Sequence, residues 1–185
     1  MLMEMKSQTE AMRGLAITTG NFIDKYKNFP NSPEGKECLF ISNLLTPIVK
    51  AWCTDQSIYI TSLGVQIHGG MGFVEDTGAA QYYRDCRILA IYEGTNGIQA
   101  LDLLRRKLFQ ENGKTYKKVL QIIKNTAELA IKSENYNLKE MGELLLKSLG
   151  VIEDCSVWLI DKYEENPEIS AAGATPFLNM FGWVL

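Results

Sequence analysis

Apolar residues recur along most of this chain at the spacing of amphipathic helices. From residue 33 onward, one helical face collects apolar side chains at steps of three, four or seven: Ile41, Leu45, Ile48, Trp52, Tyr59 and Leu63. The same spacing returns later, at Ile98, Leu101, Leu104 and Leu108, and as a heptad at Leu145, Ile152 and Leu159. Strand-like alternation and internal repeats are absent. The pattern predicts an all-α fold, an antiparallel helical bundle with short connections.

Breaks in the pattern give the expected helix boundaries. In "NSPEG", Asn31 or Ser32 is predicted to cap the second helix, with Pro33 in its first turn. Pro47 lies inside that helix and is expected to kink it or to move its start. Later breaks are expected at "HGGMGF", at an Asp76 or Thr77 cap and at "ENGK". Helices near 114–135 and 137–165 should follow.

Composition and charge narrow the function classes. The 185 residues carry a net charge of −3 without a basic stripe, which gives no reason to expect nucleic acid as a partner. Four well-separated cysteines argue against a zinc site or a disulfide framework and suit a reducing, cytoplasmic setting. Without a long apolar run or a signal peptide at the N-terminus, the sequence predicts neither a membrane span nor secretion.

The segment "GVQIHGGMGF" has two interpretations. Locally it indicates a helix C-terminus, with Gly69 or Gly70 in the left-handed conformation. Alternatively, residues without side chains let a flat or phosphorylated ligand lie against the backbone, and Gln66 would hydrogen-bond that ligand. His68 is the only histidine, and its place beside a helix end is typical of a cap or core residue rather than a base.

The segment "RDCRILAIYEGTNGIQA" has a structural and a chemical interpretation, and its periodicity favours the structural one. Its local pattern predicts that Thr95 or Asn96 caps a helix starting near Ile98, with Glu93 at the positive end of the dipole.

The same segment also suits proton chemistry. A carboxylate at Glu93, sheltered by Ile91 and Tyr92, would serve as a general base. The Gly94 N–H would polarise a substrate carbonyl. This pairing suits removal of a proton α to a thioester or ketone.

Together the two segments resemble a known family. "QIHGGMGF" followed by "YRDCRILAIYEGTNGIQ" is similar to the C-terminal helical domain of acyl-CoA dehydrogenases, with its Gln-x-x-Gly-Gly, Arg-Asp and Tyr-Glu-Gly-Thr motifs in the family's order and at its distance. The wider sequence resembles the longer bacterial subgroup that includes 3-methylmercaptopropionyl-CoA dehydrogenase. The resemblance implies a bundle over 1–112, incomplete at its N-terminal side, and an apparently truncated helical extension over 113–185.

The resemblance also implies residue roles. Glu93 would abstract the pro-R α-proton of an acyl-CoA, a hydride would pass from the β-carbon to FAD, and trans-2-enoyl-CoA would form. The Gly94 amide would bind the thioester carbonyl, and Thr95 would contact FAD. The segment that meets the nucleotide half of FAD, usually on a neighbouring subunit, matches Gln66, Ile67, His68, Gly69 and Gly70. An electron-transfer flavoprotein would accept the electrons, and no residue is predicted to bind a metal.

Departures from the family keep two other functions open. Gly97 stands where relatives often have glutamine, and the family's N-terminal helical domain and β-domain have no counterpart here. The chain is therefore expected to be inactive alone and to need a missing N-terminal fragment or further copies of itself. A non-catalytic helical interaction or oligomerisation module is one alternative, and an acyl-CoA oxidase fragment is the other. Acyl-chain specificity is not predicted.

Overall fold

The computed structural model describes all 185 residues, which form nine α-helices and no β-strand. The helices are α1 (Leu2–Asn28), α2 (Pro33–Ile67), α3 (Gly70–Phe73), α4 (Ala79–Arg87), α5 (Asn96–Asp102), α6 (Lys114–Ile131), α7 (Tyr136–Glu165), α8 (Pro167–Ala172) and α9 (Ala174–Val184). The predicted all-α class is therefore confirmed. None of these helices has the length and apolarity needed to cross a lipid bilayer.

The long helices α1 and α2 form an antiparallel pair. A four-residue turn joins them, and the Tyr59 hydroxyl near the end of α2 donates to a Glu4 carboxylate oxygen at the start of α1, at 2.7 Å. Tyr59 follows the apolar spacing of α2, yet its side chain is 44% exposed. The phenol needs a polar partner, and it finds one at the rim of the pair.

The start of α2 follows its predicted signals. The Ser32 side chain accepts a hydrogen bond from the Gly35 N–H at 2.9 Å, and Pro33 is the first helical residue. Such a cap satisfies one of the N–H groups that a helix start leaves without a partner. Pro47 lies buried within α2 and neither ends the helix nor moves its start.

The start of α4 differs from its prediction. Gly78, in the left-handed conformation, takes the cap position, and neither Asp76 nor Thr77 supplies a side-chain cap. The Thr77 hydroxyl instead donates to the Met71 carbonyl oxygen at 2.9 Å. Thr77 Oγ1 also accepts from the N–H of Ala79, the first residue of α4, at 3.4 Å, so its hydroxyl reaches the helix start from the position before the cap.

The C-terminal helices begin close to their predicted positions. The chain turns at Gln110–Gly113, and α6 starts directly after Gly113. The heptad on α7 faces the core, with Ile152 and Leu159 buried and Leu145 packed against them.

One hydrophobic core joins both parts of the chain. Its 23 buried residues come from α1, α2, α5, α6, α7 and α9 and from the 103–108 segment that follows α5. Phe181 of α9 lies at its centre, with its ring 6.3 Å from that of Tyr116 and 5.9 Å from that of Phe177. The division into 1–112 and 113–185 stays a prediction, but the two ranges are stabilised by the same buried surface.

Candidate active site

The glycine-rich segment lies at the exposed C-terminal end of α2. Gln66 and Ile67 are the last helical residues, and Gly69 reverses the chain with a φ of +60°. Side chains added at Gly69 or Gly70 would meet no atom within 4 Å, so the backbone there is open to a ligand. Gly72 has another reason to be glycine, since a Cβ would stand 2.3 Å from the Val65 carbonyl oxygen.

His68 is occupied locally. Its Nδ1 lies 2.8 Å from the Gly64 carbonyl oxygen, which can only accept, so Nδ1 carries the proton. The same carbonyl oxygen also accepts from the His68 backbone N–H at 3.3 Å, so the ring adds a second hydrogen bond to the last turn of α2. This arrangement is the cap expected from the sequence.

The Tyr-Glu-Gly-Thr turn lies directly before α5. The Thr95 hydroxyl accepts from the Ile98 N–H at 3.4 Å, which confirms the predicted cap. Glu93 has a φ of +54° and Gly94 a φ of +85°, so both residues adopt left-handed conformations. Glycine tolerates that conformation, whereas a glutamate adopts it only at a cost. The turn is therefore held in place by contacts beyond its own backbone preference.

The reacting groups proposed for this turn have no partner within the chain. The Glu93 side chain is exposed and makes neither an ion pair nor a hydrogen bond through its carboxylate. No intramolecular hydrogen bond uses the Gly94 N–H. Consecutive residues thus carry a carboxylate and an amide donor, both exposed and both without a partner in the chain.

The expected shelter for Glu93 is absent within these 185 residues. Ile91 is 49% exposed and Tyr92 is 50% exposed, so neither covers the carboxylate. The prediction that they do so is wrong for this chain, because both side chains of the 88–95 connection face solvent to about half their surface. Any exclusion of water from Glu93 has to come from other polypeptide or from ligand.

Two side chains, those of Lys50 and Asn96, connect this turn to α2. Lys50 of α2 donates from Nζ to the Gly94 carbonyl oxygen at 2.7 Å and to Asn96 Oδ1 at 2.8 Å. Asn96, which was a candidate cap, instead extends its side chain toward α2. Its Nδ2 lies within hydrogen-bonding distance of Asp55 Oδ1, Thr54 Oγ1 and the Ala51 carbonyl oxygen.

The pKa of Lys50 lies below its ordinary value, because the larger of two opposing effects lowers it. Partial burial lowers the pKa of Lys50 from its ordinary value, while the nearby Asp55 carboxylate raises it. No local sequence signal marks this cluster, since 44 positions separate Lys50 from Gly94.

The two motif segments lie apart on this chain. Lys50 of α2 contacts the Tyr-Glu-Gly-Thr turn, and Gln66 is the penultimate residue of the same helix. Because an α-helix rises about 1.5 Å per residue, these two residues are roughly 24 Å apart along α2. One copy of the chain therefore does not bring Gln66–Gly70 together with Glu93–Thr95.

Large apolar side chains are exposed around both segments. They belong to α3, α4, α5 and the turns between them: Phe73, Tyr82, Tyr83, Ile88, Ile91, Tyr92 and Ile98. A concentration of this kind is typical of a surface that another polypeptide or a ligand covers. We call it the α3–α5 surface.

Known proteins are similar to this chain in sequence. Residues 1–108 match the family model described as acyl-CoA dehydrogenase, C-terminal domain. The chain is 38% identical over 182 residues to 3-methylmercaptopropionyl-CoA dehydrogenase of Ruegeria pomeroyi, covering 98% of this chain and 31% of that protein. A butyryl-CoA dehydrogenase of Syntrophomonas wolfei is 34% identical over 120 residues, which cover 65% of this chain and 20% of that protein.

A solved structure shares the fold. ACDH-11 of Caenorhabditis elegans, in complex with C11-CoA, superposes with a TM-score of 0.75 at 22% identity, covering 98% of this chain and 30% of that one. The chain thus spans no more than about a third of the length of these relatives. By its sequence match over residues 1–108, the chain belongs to the acyl-CoA dehydrogenase family, of which it carries the helical C-terminal domain.

Proposed function

We propose that this chain supplies the catalytic base of an acyl-CoA dehydrogenase. The observation that carries the proposal is the turn before α5, where the unpaired Glu93 carboxylate and the Gly94 N–H lie on consecutive residues. In an acyl-CoA the acidic α-carbon is bonded to the thioester carbonyl carbon. A base and a carbonyl-binding donor on neighbouring residues match that spacing.

The proposed steps for these residues are few. The Gly94 N–H donates to the thioester oxygen and stabilises the negative charge that develops there as the α-proton leaves. Glu93 takes the pro-R α-proton. Bound FAD would supply the acceptor for the hydride of the β-carbon, which would leave trans-2-enoyl-CoA as the product, and an electron-transfer flavoprotein would be the final electron acceptor.

The open backbone at Gly69 and Gly70 fits an FAD-binding role. Their positions leave room for a phosphorylated group, and Gln66 is exposed beside them. Thr95 would meet the flavin from the turn. Because roughly 24 Å of helix separates these contacts, we infer that one FAD meets Gln66–Gly70 of one copy and Thr95 of another. The α3–α5 surface is where a second copy, or the remainder of the enzyme, would dock.

Turnover is expected to require polypeptide outside this chain, since Glu93 has no shelter from water here and the relatives are about three times as long. The test is a chimera in which residues 1–185 replace the matching C-terminal region of the Ruegeria pomeroyi dehydrogenase. We expect the chimera to convert 3-methylmercaptopropionyl-CoA to a product lighter by two hydrogens, and the 185-residue chain alone to leave it unchanged. A folded, flavin-containing chimera that forms no enoyl product would contradict the proposal.

A further inference from the structure

The turn that carries Glu93 is held through its carbonyl groups. Gln99 of α5 donates from Nε2 to the Glu93 carbonyl oxygen at 3.2 Å. Lys50 of α2 donates to the next carbonyl oxygen, that of Gly94, at 2.7 Å. Two successive peptide groups are thereby fixed from two different helices, at the point where Glu93 adopts a φ of +54°. These bonds offset the cost of that conformation.

Lys50, the residue of α2 that binds the turn, is itself held in place by a second hydrogen bond. Lys50 Nζ also donates to Asn96 Oδ1 at 2.8 Å, which limits where the ammonium group can lie. Asn96 Nδ2 in turn donates to Asp55 Oδ1 at 2.7 Å and to Thr54 Oγ1 at 2.9 Å. Because Asn96 is the first residue of α5, these bonds tie the start of α5 to the middle of α2.

Gln99 acts on the peptide group that holds the proposed amide donor. The Glu93 carbonyl and the Gly94 N–H belong to one peptide unit, so a hydrogen bond accepted by the carbonyl polarises the N–H. The Gln99 amide also packs close to Gly94, where an added Cβ would stand 3.2 Å from Nε2. Glycine at this position therefore keeps the Gln99 contact as well as the positive φ.

We propose that Lys50, Asn96 and Gln99 are positioning residues for the proposed chemistry, with Lys50 and Asn96 fixing the turn in space and Gln99 orienting and polarising the Gly94 N–H. This assignment rests on the proposed function of Glu93 as base and of Gly94 as carbonyl donor. None of the three touches substrate in this arrangement. They act through the backbone of residues 93 to 95.

The first test uses the 185-residue chain and needs no activity. Lys50→Met keeps the length and helix preference of the side chain but removes its charge and donors. We expect backbone NMR order parameters at residues 93–95 to fall from about 0.85 to below about 0.6. Lys36→Met, at an exposed lysine of the same helix, is the matched control and should leave them unchanged. Order parameters that stay equal in both variants would overturn the assignment.

The second test measures the effect on chemistry in the chimera. A carboxylate displaced by about 1 Å loses roughly 10²-fold in rate. We therefore expect Lys50→Met to lower kcat at least about tenfold, with KM within about twofold and flavin content unchanged. Gln99→Met should lower kcat in the same way, and Lys36→Met should not. Equal kcat in the Lys50 and Lys36 variants would overturn the assignment.

A failure of the proposed function and a failure of the positioning role give different results. A chimera that turns over no acyl-CoA with Lys50 in place contradicts the proposed function. The order parameters of the chain then still report whether Lys50 fixes the turn. A turn that stays rigid without Lys50, in a chimera that is active, contradicts the positioning role alone.

Discussion

Glu93→Gln in the chimera is expected to lower kcat by about 10²- to 10⁴-fold, the range that a positioned general base contributes. Glutamine has nearly the same shape as glutamate but cannot take up the α-proton. The side chain is exposed and unpaired in this chain, so the change removes no stabilising contact. Flavin absorbance and the thermal midpoint should therefore match those of the unmodified chimera.

The matched control for this prediction is Glu134→Gln. Glu134 is an exposed glutamate in the connection between α6 and α7, remote in sequence from the turn. The Glu134→Gln substitution should leave the kcat of the chimera unchanged. A Glu93→Gln chimera whose kcat lies within about tenfold of this control would assign the base to another residue.

Phe181→Ala is expected to cost about 3–5 kcal/mol of the free energy of unfolding, as large aromatic truncations in a core do. The Phe181 side chain is 0% exposed and packs against rings from α6 and α9. Since the core also includes α1 and α2, the whole chain should lose stability in one transition. Urea unfolding followed by far-ultraviolet circular dichroism measures both the loss and the number of transitions.

The same substitution at an exposed position provides the control. Phe73 is 82% exposed, so Phe73→Ala should change the free energy of unfolding by less than about 0.5 kcal/mol. If Phe181→Ala cost no more than the Phe73 change, or melted α6–α9 separately from α1–α5, the shared core would not be the source of stability.

Local chemistry explains what the sequence predicted. The caps at Ser32 and Thr95 can be predicted from the sequence because a capping side chain bonds to the N–H of a residue only three positions later. The heptad on α7 can be predicted because the helical spacing of its apolar residues indicates which face is buried. The resemblance of the motifs supplied the family, which the match over residues 1–108 confirms.

Long-range contacts account for what the sequence did not predict. Lys50 and Asn96 meet only after α2 and α5 pack, and neither side chain has a distinguishing neighbour in the sequence. Tyr59 follows the apolar spacing of α2 but lies at the rim of the α1–α2 pair, where Glu4 binds its hydroxyl. The shelter expected at Ile91 and Tyr92 depended on tertiary contacts that these two half-exposed side chains do not make.

The role of Glu93 as base is tested most directly by hydrogen exchange at the α-carbon. If the flavin of the chimera is reduced beforehand, the acyl chain cannot be oxidised, and only proton transfer at the α-carbon remains. In D2O we expect the bound acyl-CoA to gain a single α-deuterium, detected by mass spectrometry, and the Glu93→Gln chimera to give none above the uncatalysed rate. Equal deuterium uptake by both chimeras would contradict the assignment of Glu93 as the base.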